Sequence, residues 1–289
     1  MSNTIELAKS FVPKLDECYR LASLTSVLDG APELAKQGAN ANELIIPMMS
    51  MDGLADYSRN GGYVQGGVTM TNETVKCNFD RGRRFDVDVM DDLETAGLAF
   101  GRLSAQFIRD KVVPELDAFR FASYCGISGV TKKEETLADG AATVAALSAA
   151  VTAMDDEEVT ATGRYLFITP TLLQGINDME TTKSKKVLEG FEQVIKVPQR
   201  RFYTAIKQLS GKTGEEAGGY TKAAGAANIN FAIVQKDALI QYTKHAAPKI
   251  IAPENNPDAD AYVFGYRMVG IAKAYKNMLS GMYFSHDKA

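Results

Sequence analysis

The spacing of hydrophobic and polar residues changes several times along the chain, and each change predicts an element. Residues 4–29 place Leu7, Phe11, Leu15, Tyr19 and Leu24 at helical spacing, interrupted by Pro13, which predicts an extended arm with one or two short helices. "ANELIIP" (41–47) is a short apolar run of strand type, ended by its proline. Residues 53–67, "GLADYSRNGGYVQGG", are rich in glycine and poor in core-forming residues, and read as an exposed excursion. From 68 onward the pattern alternates, with Val75, Cys77 and Phe79 on one face and Thr74, Lys76, Asn78 and Asp80 on the other. "DRGRR" (80–84) has the composition of a turn, after which Phe85, Val87 and Val89 alternate with Asp86 and Asp88. The expectation is a long two-stranded ribbon that leaves and re-enters the body. Such a ribbon is marginal in water unless it lies on a neighbour.

Residues 91–124 then read as one amphipathic helix. Leu93, Gly97, Phe100, Leu103, Phe107 and Ile108 form a stripe that Val112, Leu116 and Phe119 extend. Asp91 and Glu94 suit the positive N-terminal end of that helix. At the usual rise it would span roughly 50 Å, long for a compact domain and suited to a flattened or extended subunit. Pro114 lies inside it, and because the stripe continues on both sides the helix is expected to bend there and go on. Further along, "ATVAALSAAVTAM" (142–154) predicts a helix, "RYLFITP" (164–170) a buried strand and "TLLQGINDM" a short helix. Residues 180–230 are less regular, with "GKTGEEAGGYTKAAGAAN" as a loop; "FAIVQ" (231–235) is a further buried strand. "DALIQYTKH", "DAYVFGYRMVGIAKAYKN" and "SGMYFSH" predict a mixed helix-and-strand ending.

Composition narrows the function classes. The chain has 289 residues, enough for one large domain or two intimate ones, and 45% apolar with 24% charged residues is ordinary for a globular protein. A net charge of −4 gives the surface as a whole no electrostatic reason to grip nucleic acid. Cys18, Cys77 and Cys125 are odd in number and without CxxC spacing, which argues against a disulfide framework or a zinc ribbon. There is no run of eighteen apolar residues, so no membrane-spanning helix is expected, and the N-terminus lacks the pattern of a signal peptide.

Candidate chemistry is thin. Asp86, Asp88, Asp91 and Asp92 are hard ligands of the kind that bind magnesium or calcium, but strand alternation and helix capping explain all four. "SGKT" (210–213) lacks the earlier glycine of a phosphate-binding loop, since Ile206 stands there. "GGYVQGG" lacks the glycine spacing and following helix of a dinucleotide fingerprint. A Cys–His pair with His245 has no local support. "RGRR" (81–84) could take phosphate, though the acids flanking it favour ion pairs with a neighbouring element. A soluble enzyme built on the acid cluster is therefore the weaker reading, and no catalytic, cofactor-binding or metal residue is expected.

The run "DYSRNGGYV…VKCNFDRGRRFDVDVMDDLETAG…FIRDKVVPELDAFRFA", the "FITP" strand and the ending "DALIQYTKHAAPKIIAPENNPDADAYVFGYRMVGIAKAYKNMLSGMYFSH" together resemble the major capsid proteins of tailed bacteriophages. The resemblance covers most of residues 40–180 and 231–286 and rests on the order of the pieces. It implies the α+β Hong Kong 97 fold. Residues 1–40 would be an N-terminal arm, 41–90 an extended loop built as a β-hairpin, and 91–137 a peripheral domain with a spine helix. Residues 138–235 would be an axial domain, and 236–289 a return to the axial and peripheral domains. The implied protein is no enzyme and needs no cofactor. It self-assembles through pentamers and hexamers into an icosahedral head shell in the host cytoplasm, resides in the virion, and encloses DNA without sequence-specific binding and without a membrane. Tyr57, Arg59, Arg81, Arg83 and Arg84 are the expected intersubunit contacts, and Pro114 the expected helix kink. A separate scaffolding protein is expected, because the region before the hairpin lacks a long charged coiled coil. A portal and a maturation protease or head-completion proteins are the other implied partners. An encapsulin-like compartment, which shares the fold but encloses enzymes, is the alternative; a jelly roll is excluded by the long helix.

Overall fold

A computed structural model describes residues 23–30, 36–37, 43–90, 103, 105–179 and 182–288. In chain order its strands begin with β1 (Lys36–Gln37), β2 (Glu43–Met51), β3 (Val68–Lys76), β4 (Phe79–Asp88), β5 (Thr131–Glu134), β6 (Arg164–Ile168) and β7 (Gln193–Lys196). They continue with β8 (Ile206–Gln208), β9 (Tyr220–Lys222), β10 (Ile229–Gln235), β11 (Leu239–Ile251), β12 (Ala261–Ala274) and β13 (Met282–His286). The α-helices are α1 (Val113–Gly126), α2 (Gly140–Asp156), α3 (Pro170–Asp178) and α4 (Thr182–Glu189).

One sheet has the order β5-β13-β10-β6-β7, with β10 antiparallel to both its neighbours and the edge strands β5 and β7 paired in parallel. Every residue of β10 is buried, which is why "INFAIVQ" shows no polar alternation: both of its faces are covered. Phe231 and Ile233 face α2 and α3, among Leu147, Met154, Leu173 and Ile176. Ala232 and Val234 face α1, among Phe121, Tyr124 and Cys125. Asp139 caps α2 by accepting a hydrogen bond from the Ala142 amide at 2.8 Å. The second large sheet, β11-β12-β4, is antiparallel throughout. Phe79, Phe264, Tyr266 and Met268 of this sheet pack on Ile108, Val113 and Leu116.

Three sequence expectations are corrected here. "DRGRR" is no turn: it is the middle of β4, each of its residues paired with β12 between Val269 and Gly265. A glycine among charges is the composition of turns, but here each feature serves a strand. Gly82 allows close approach, since a Cβ there would lie 2.8 Å from the Tyr266 carbonyl oxygen. Asp80 takes two hydrogen bonds from Arg267 of β12, at 2.9 and 2.7 Å. The ribbon is therefore β2 paired with β3, in register from Glu43↔Lys76 to Met51↔Val68. Second, β2 does not end at Pro47. Among the described residues β1 pairs with β2 only at Leu44 and Ile45, so Pro47 lies beyond that pairing and takes none of its N–H bonds away. Third, the C-terminal part is not mixed. Apart from short 3-10 turns, its elements are β11, β12 and β13.

The helix expected from 91 is described from Ala105 onward, Leu103 aside; Asp91, Asp92, Glu94 and the first part of the stripe lie outside the described residues, as do residues 1–22 of the arm. The helix passes through Pro114 without stopping. A π-helical turn, Ile108–Val112, precedes α1, and the Val113 amide donates to the Ile108 carbonyl five residues back. Pro114 has no N–H to offer Asp110, and the π turn takes up that loss by shifting the bonding one residue.

Candidate interaction surface

The ribbon is anchored at its base. Ile46 and Val75 are buried against Ile240 and Ile271 of the β11–β12 pair, with Cys77, Tyr242 and Tyr275 around them. Glu73 pairs with Lys276 at 2.8 Å. Asn78 donates to the Ala272 carbonyl at 2.9 Å and accepts from its amide at 3.0 Å.

Beyond that base the ribbon is exposed and its two faces differ. Cross-strand pairing puts Met49 opposite Met70 and Met51 opposite Val68 on one face, while Met48, Ser50, Thr69 and Thr71 take the other. The four residues of the first face are open to solvent: Met49 58%, Met51 68%, Val68 68% and Met70 64% exposed. Ile46, Val75 and Glu73 share the second face by strand alternation, so the Met49–Met70 face is the one on the far side of the ribbon from the body.

The connection from 52 to 67 is exposed, as its sequence suggests, but ordered. Asp52 closes its foot: its carboxylate accepts from the Gly67 amide at 2.7 Å, and its own amide donates to the Gly67 carbonyl at 3.2 Å. At the apex Ser58 and Gly62 exchange backbone hydrogen bonds at 3.2 and 2.7 Å, and the Gly61 amide donates to Ser58 Oγ. Gly62 holds φ 75°, the left-handed conformation such a tight turn requires. The Tyr57 and Tyr63 rings pack at 4.9 Å between centroids, and Leu54, Tyr57, Tyr63 and Val64 stand exposed around Arg59. Such a pre-ordered tip with tyrosines and an arginine loses little entropy on contact.

The expected contact residues fall into two groups. Tyr57, Arg59 and Arg84 are exposed, Arg84 resting on Asp86 at 2.8 Å. Arg81, half-buried, and Arg83, exposed like Arg84, are engaged with other parts of the subunit. Arg81 pairs with Glu115 of α1 at 2.8 Å and donates to the Leu209 carbonyl at 2.8 Å; Arg83 donates to the Glu216 carbonyl at 2.8 Å. They tie β4 to loop 209–219, where Glu215 meets Lys207 of β8 at 2.6 Å and accepts from the Ser210 amide, which together pull its carboxyl pKa down to about 2. This agrees with ion pairing for "RGRR".

A second arrangement was not foreseen from the sequence. Residues 23–30 are clamped by a buried polar cluster. Asp117 accepts from Ser23 Oγ (2.9 Å), Thr25 Oγ1 (2.7 Å) and the amides of Leu24 and Thr25 (3.1 and 3.2 Å), and pairs with Arg201 at 3.2 Å. Arg120 donates to Thr25 Oγ1 at 2.8 Å and to Asp29 at 3.1 Å. Gln241 donates to the Thr25 carbonyl and to Asp29, and accepts from Tyr124 at 2.5 Å. Burial pushes the Tyr124 phenol well above its ordinary pKa, so it remains a donor. The one local signal was charge inside an apolar helix, Asp117 and Arg120 on the face that also carries Val113 and Tyr124.

Other candidate chemistry stays dispersed. Asp86 and Asp88 are exposed on β4, Asp88 accepting from the Met90 amide. Among the described residues no group of three or more His, Cys, Asp and Glu side chains is placed to hold a metal ion. Cys125 is buried, which raises its thiol to about 11, and His245 is exposed beside a bulge in β11. No helix among the described residues is long and apolar enough to cross a membrane.

No protein-family model matches the sequence, and no curated protein matches it either. Solved structures do match along nearly the whole chain. A virus-like particle from Pyrococcus furiosus aligns with TM-score 0.60 and 10% identity over 96% of this chain and 98% of its own. A structure from Gordonia phage Cozz aligns with TM-score 0.60 and 10% identity over 93% and 87%. The capsid of cyanophage P-SCSP1u aligns with TM-score 0.56 and 11% identity over 87% and 85%. The chain has the mixed helix-and-sheet fold of these structures.

Proposed function

We propose that this chain is the major capsid protein of a tailed bacteriophage. It has a structural role and no catalytic one, and it assembles through pentamers and hexamers into the icosahedral head shell around the DNA genome. The observation that carries this reading is the likeness of fold over nearly the full length of both chains to structures described as a capsid and a virus-like particle. The anchored ribbon with an exposed apolar face agrees with it, because such a surface needs a partner. Copies meet through unlike surfaces that close into rings and then a shell, each contact modest and the sum durable.

On this reading residues 1–40 are the N-terminal arm, fixed where residues 23–30 are clamped, and the extended loop of 41–90 has β2 and β3 as its hairpin. Residues 91–137 form the peripheral domain, 138–235 the axial domain, and 236–289 return to both. Tyr57, Arg59 and Arg84 reach neighbouring copies, while Arg81 and Arg83 hold the subunit from which the hairpin springs. Packaged DNA is enclosed without sequence-specific grip, consistent with a net charge of −4. A scaffolding protein, a portal, and a maturation protease or head-completion proteins act with the chain in the host cytoplasm before it resides in the virion.

The test is electron microscopy of the purified chain, alone and with a co-expressed scaffolding partner. Rings, sheets or closed shells are expected; a monomer at every concentration under both conditions contradicts the reading. A second reading, an encapsulin-like compartment enclosing enzymes, shares the fold, and the match to a virus-like particle from Pyrococcus furiosus is equally consistent with it. It predicts shells that co-purify with a protein cargo and no phage genome.

Pro114→Ala tests the helix. It should raise stability by less than the roughly 3 kcal/mol a proline costs in a regular helix interior, because the π turn already relieves the clash. Particles should become fewer or irregular in size if the bend fits the helix to the shell. Denaturant melts and a size distribution measure the two effects, and normal particles from a more stable variant would remove the proline from assembly.

A further inference from the structure

We infer that Asn60 is a site of spontaneous deamidation in the unassembled subunit, and that assembly shuts the reaction off by covering the tip of the ribbon. The first half stands on the chain alone; the second rests on the capsid reading.

Asn60 is the only asparagine of the chain that is followed by glycine. It stands at the apex of the connection from 52 to 67, where both it and Gly61 are exposed. Among the described residues no hydrogen bond holds the Asn60 carboxamide, so it is free to turn onto the next amide. The turn itself does not need glycine at 61. The residue held in the left-handed conformation is Gly62, and a Cβ at Gly61 would meet only Ser58 Cβ and Oγ, both at 3.5 Å, an ordinary contact. What glycine at 61 does supply is an amide nitrogen with no Cβ beside it to crowd its approach to Asn60 Cγ. The restraint on that amide is its bond to Ser58 Oγ, 3.2 Å long and open to water.

The reaction consumes only water. Hydroxide takes the Gly61 amide proton, the Gly61 nitrogen bonds to Asn60 Cγ, and the Cγ–Nδ2 bond breaks. The leaving nitrogen takes a proton from water and departs as ammonia, which regenerates hydroxide. Water then opens the resulting succinimide at either carbonyl. Opening at Cγ gives aspartate; opening at the main-chain carbonyl of residue 60 gives isoaspartate, in which the chain runs through the former side chain. Both products put a carboxylate next to Arg59. Isoaspartate also lengthens the main chain by one methylene between Ser58 and Gly62, whose paired backbone bonds of 3.2 and 2.7 Å close the turn between Tyr57 and Tyr63. An aged tip loses the shape it offers to a neighbour, and copies left unassembled drop out of the competent pool.

The experiment incubates the full chain in mildly alkaline buffer and follows its peptides by mass spectrometry, separately in the unassembled fraction and in particles. In the unassembled chain the peptide holding residue 60 should gain about one mass unit and split into two products. The peptides of Asn72 and Asn277, exposed but followed by Glu73 and Met278, should stay unchanged over the same time. Gly61→Ala should slow the gain about tenfold, because its Cβ crowds the attacking nitrogen. Asn60→Gln should abolish it, because closure then needs a six-membered ring. In particles residue 60 should keep its amide. Chain aged before assembly should give fewer particles than fresh chain, and aged Asn60→Gln chain as many as fresh. A residue-60 peptide that ages no faster than that of Asn72 overturns the site. Equal ageing in particles and in unassembled chain, or an undiminished particle yield from fully aged chain, overturns the role of assembly. If no particles form under any condition, the capsid reading falls and the second half with it, while the chemistry at Asn60 is still decided on the unassembled chain.

Discussion

Replacing Asp117 with alanine is expected to cost about 3–5 kcal/mol of stability, the range for removing one partner of a buried ion pair, and to release residues 23–30 from the body. The carboxylate is fully buried and accepts from two hydroxyls, two backbone amides and Arg201. Alanine leaves those five donors without that acceptor and strips the cluster of one of its two anions, since Arg120 and Arg201 are held by Asp29 and Asp117. Asparagine keeps the shape but turns an amide N–H₂ toward donors, so Asp117→Asn should be nearly as damaging. Denaturant unfolding gives the first quantity. Hydrogen exchange of the amides at 23–30 gives the second, and should show protection lost there while β10 stays protected. A variant within about 1 kcal/mol of the parent, below the usual cost of breaking such a pair, with the segment still protected, would mean that Leu28 and its apolar neighbours hold the segment by themselves.

Excising residues 53–66 and joining Asp52 to Gly67 through Asn-Gly should leave the subunit folded and abolish particles. Asp52 and Gly67 already face each other across the foot of the loop, so a two-residue hairpin turn can close the gap. The excised residues contribute nothing to the four apolar clusters of the body. The placement of the cut matters. One extended to residue 80 would remove Val75 and Phe79, both buried, and would unfold the second sheet as well as the ribbon. Circular dichroism melts and electron microscopy check the two halves of the expectation. Loss of cooperative melting, or particles like the parent's, would each contradict it.

What could be read from the sequence follows from how local the physics is. β6, β10 and α2 were legible because each carries its period or its unbroken apolar run within itself, as in "RYLFI" and "INFAIVQ". The ribbon was legible as an excursion but not in its pairing. "DRGRR" satisfies both the turn rule and the rule for a charged strand beside a close-packed partner, and the partner, β12, lies more than 180 residues away. The methionine face was likewise hidden: "PMMSM" shows no side until the register with "VTMTN" sets Met49 against Met70. The clamp on residues 23–30 was least legible, because Asp117 meets Thr25 and Gln241 meets Asp29 over separations of 92 and 212 residues. Asp117 alone, in an apolar stripe, gave no sign of its partners.

If this subunit is built to be covered by copies of itself, a cryo-electron microscopy reconstruction of the particles formed by the full chain should show a closed shell of five- and six-membered rings. In it residues 49–70 of every copy should be buried against other copies while residues 23–30 stay clamped at Asp117. Particles in which the ribbon lies in solvent or folds back on its own subunit would contradict it.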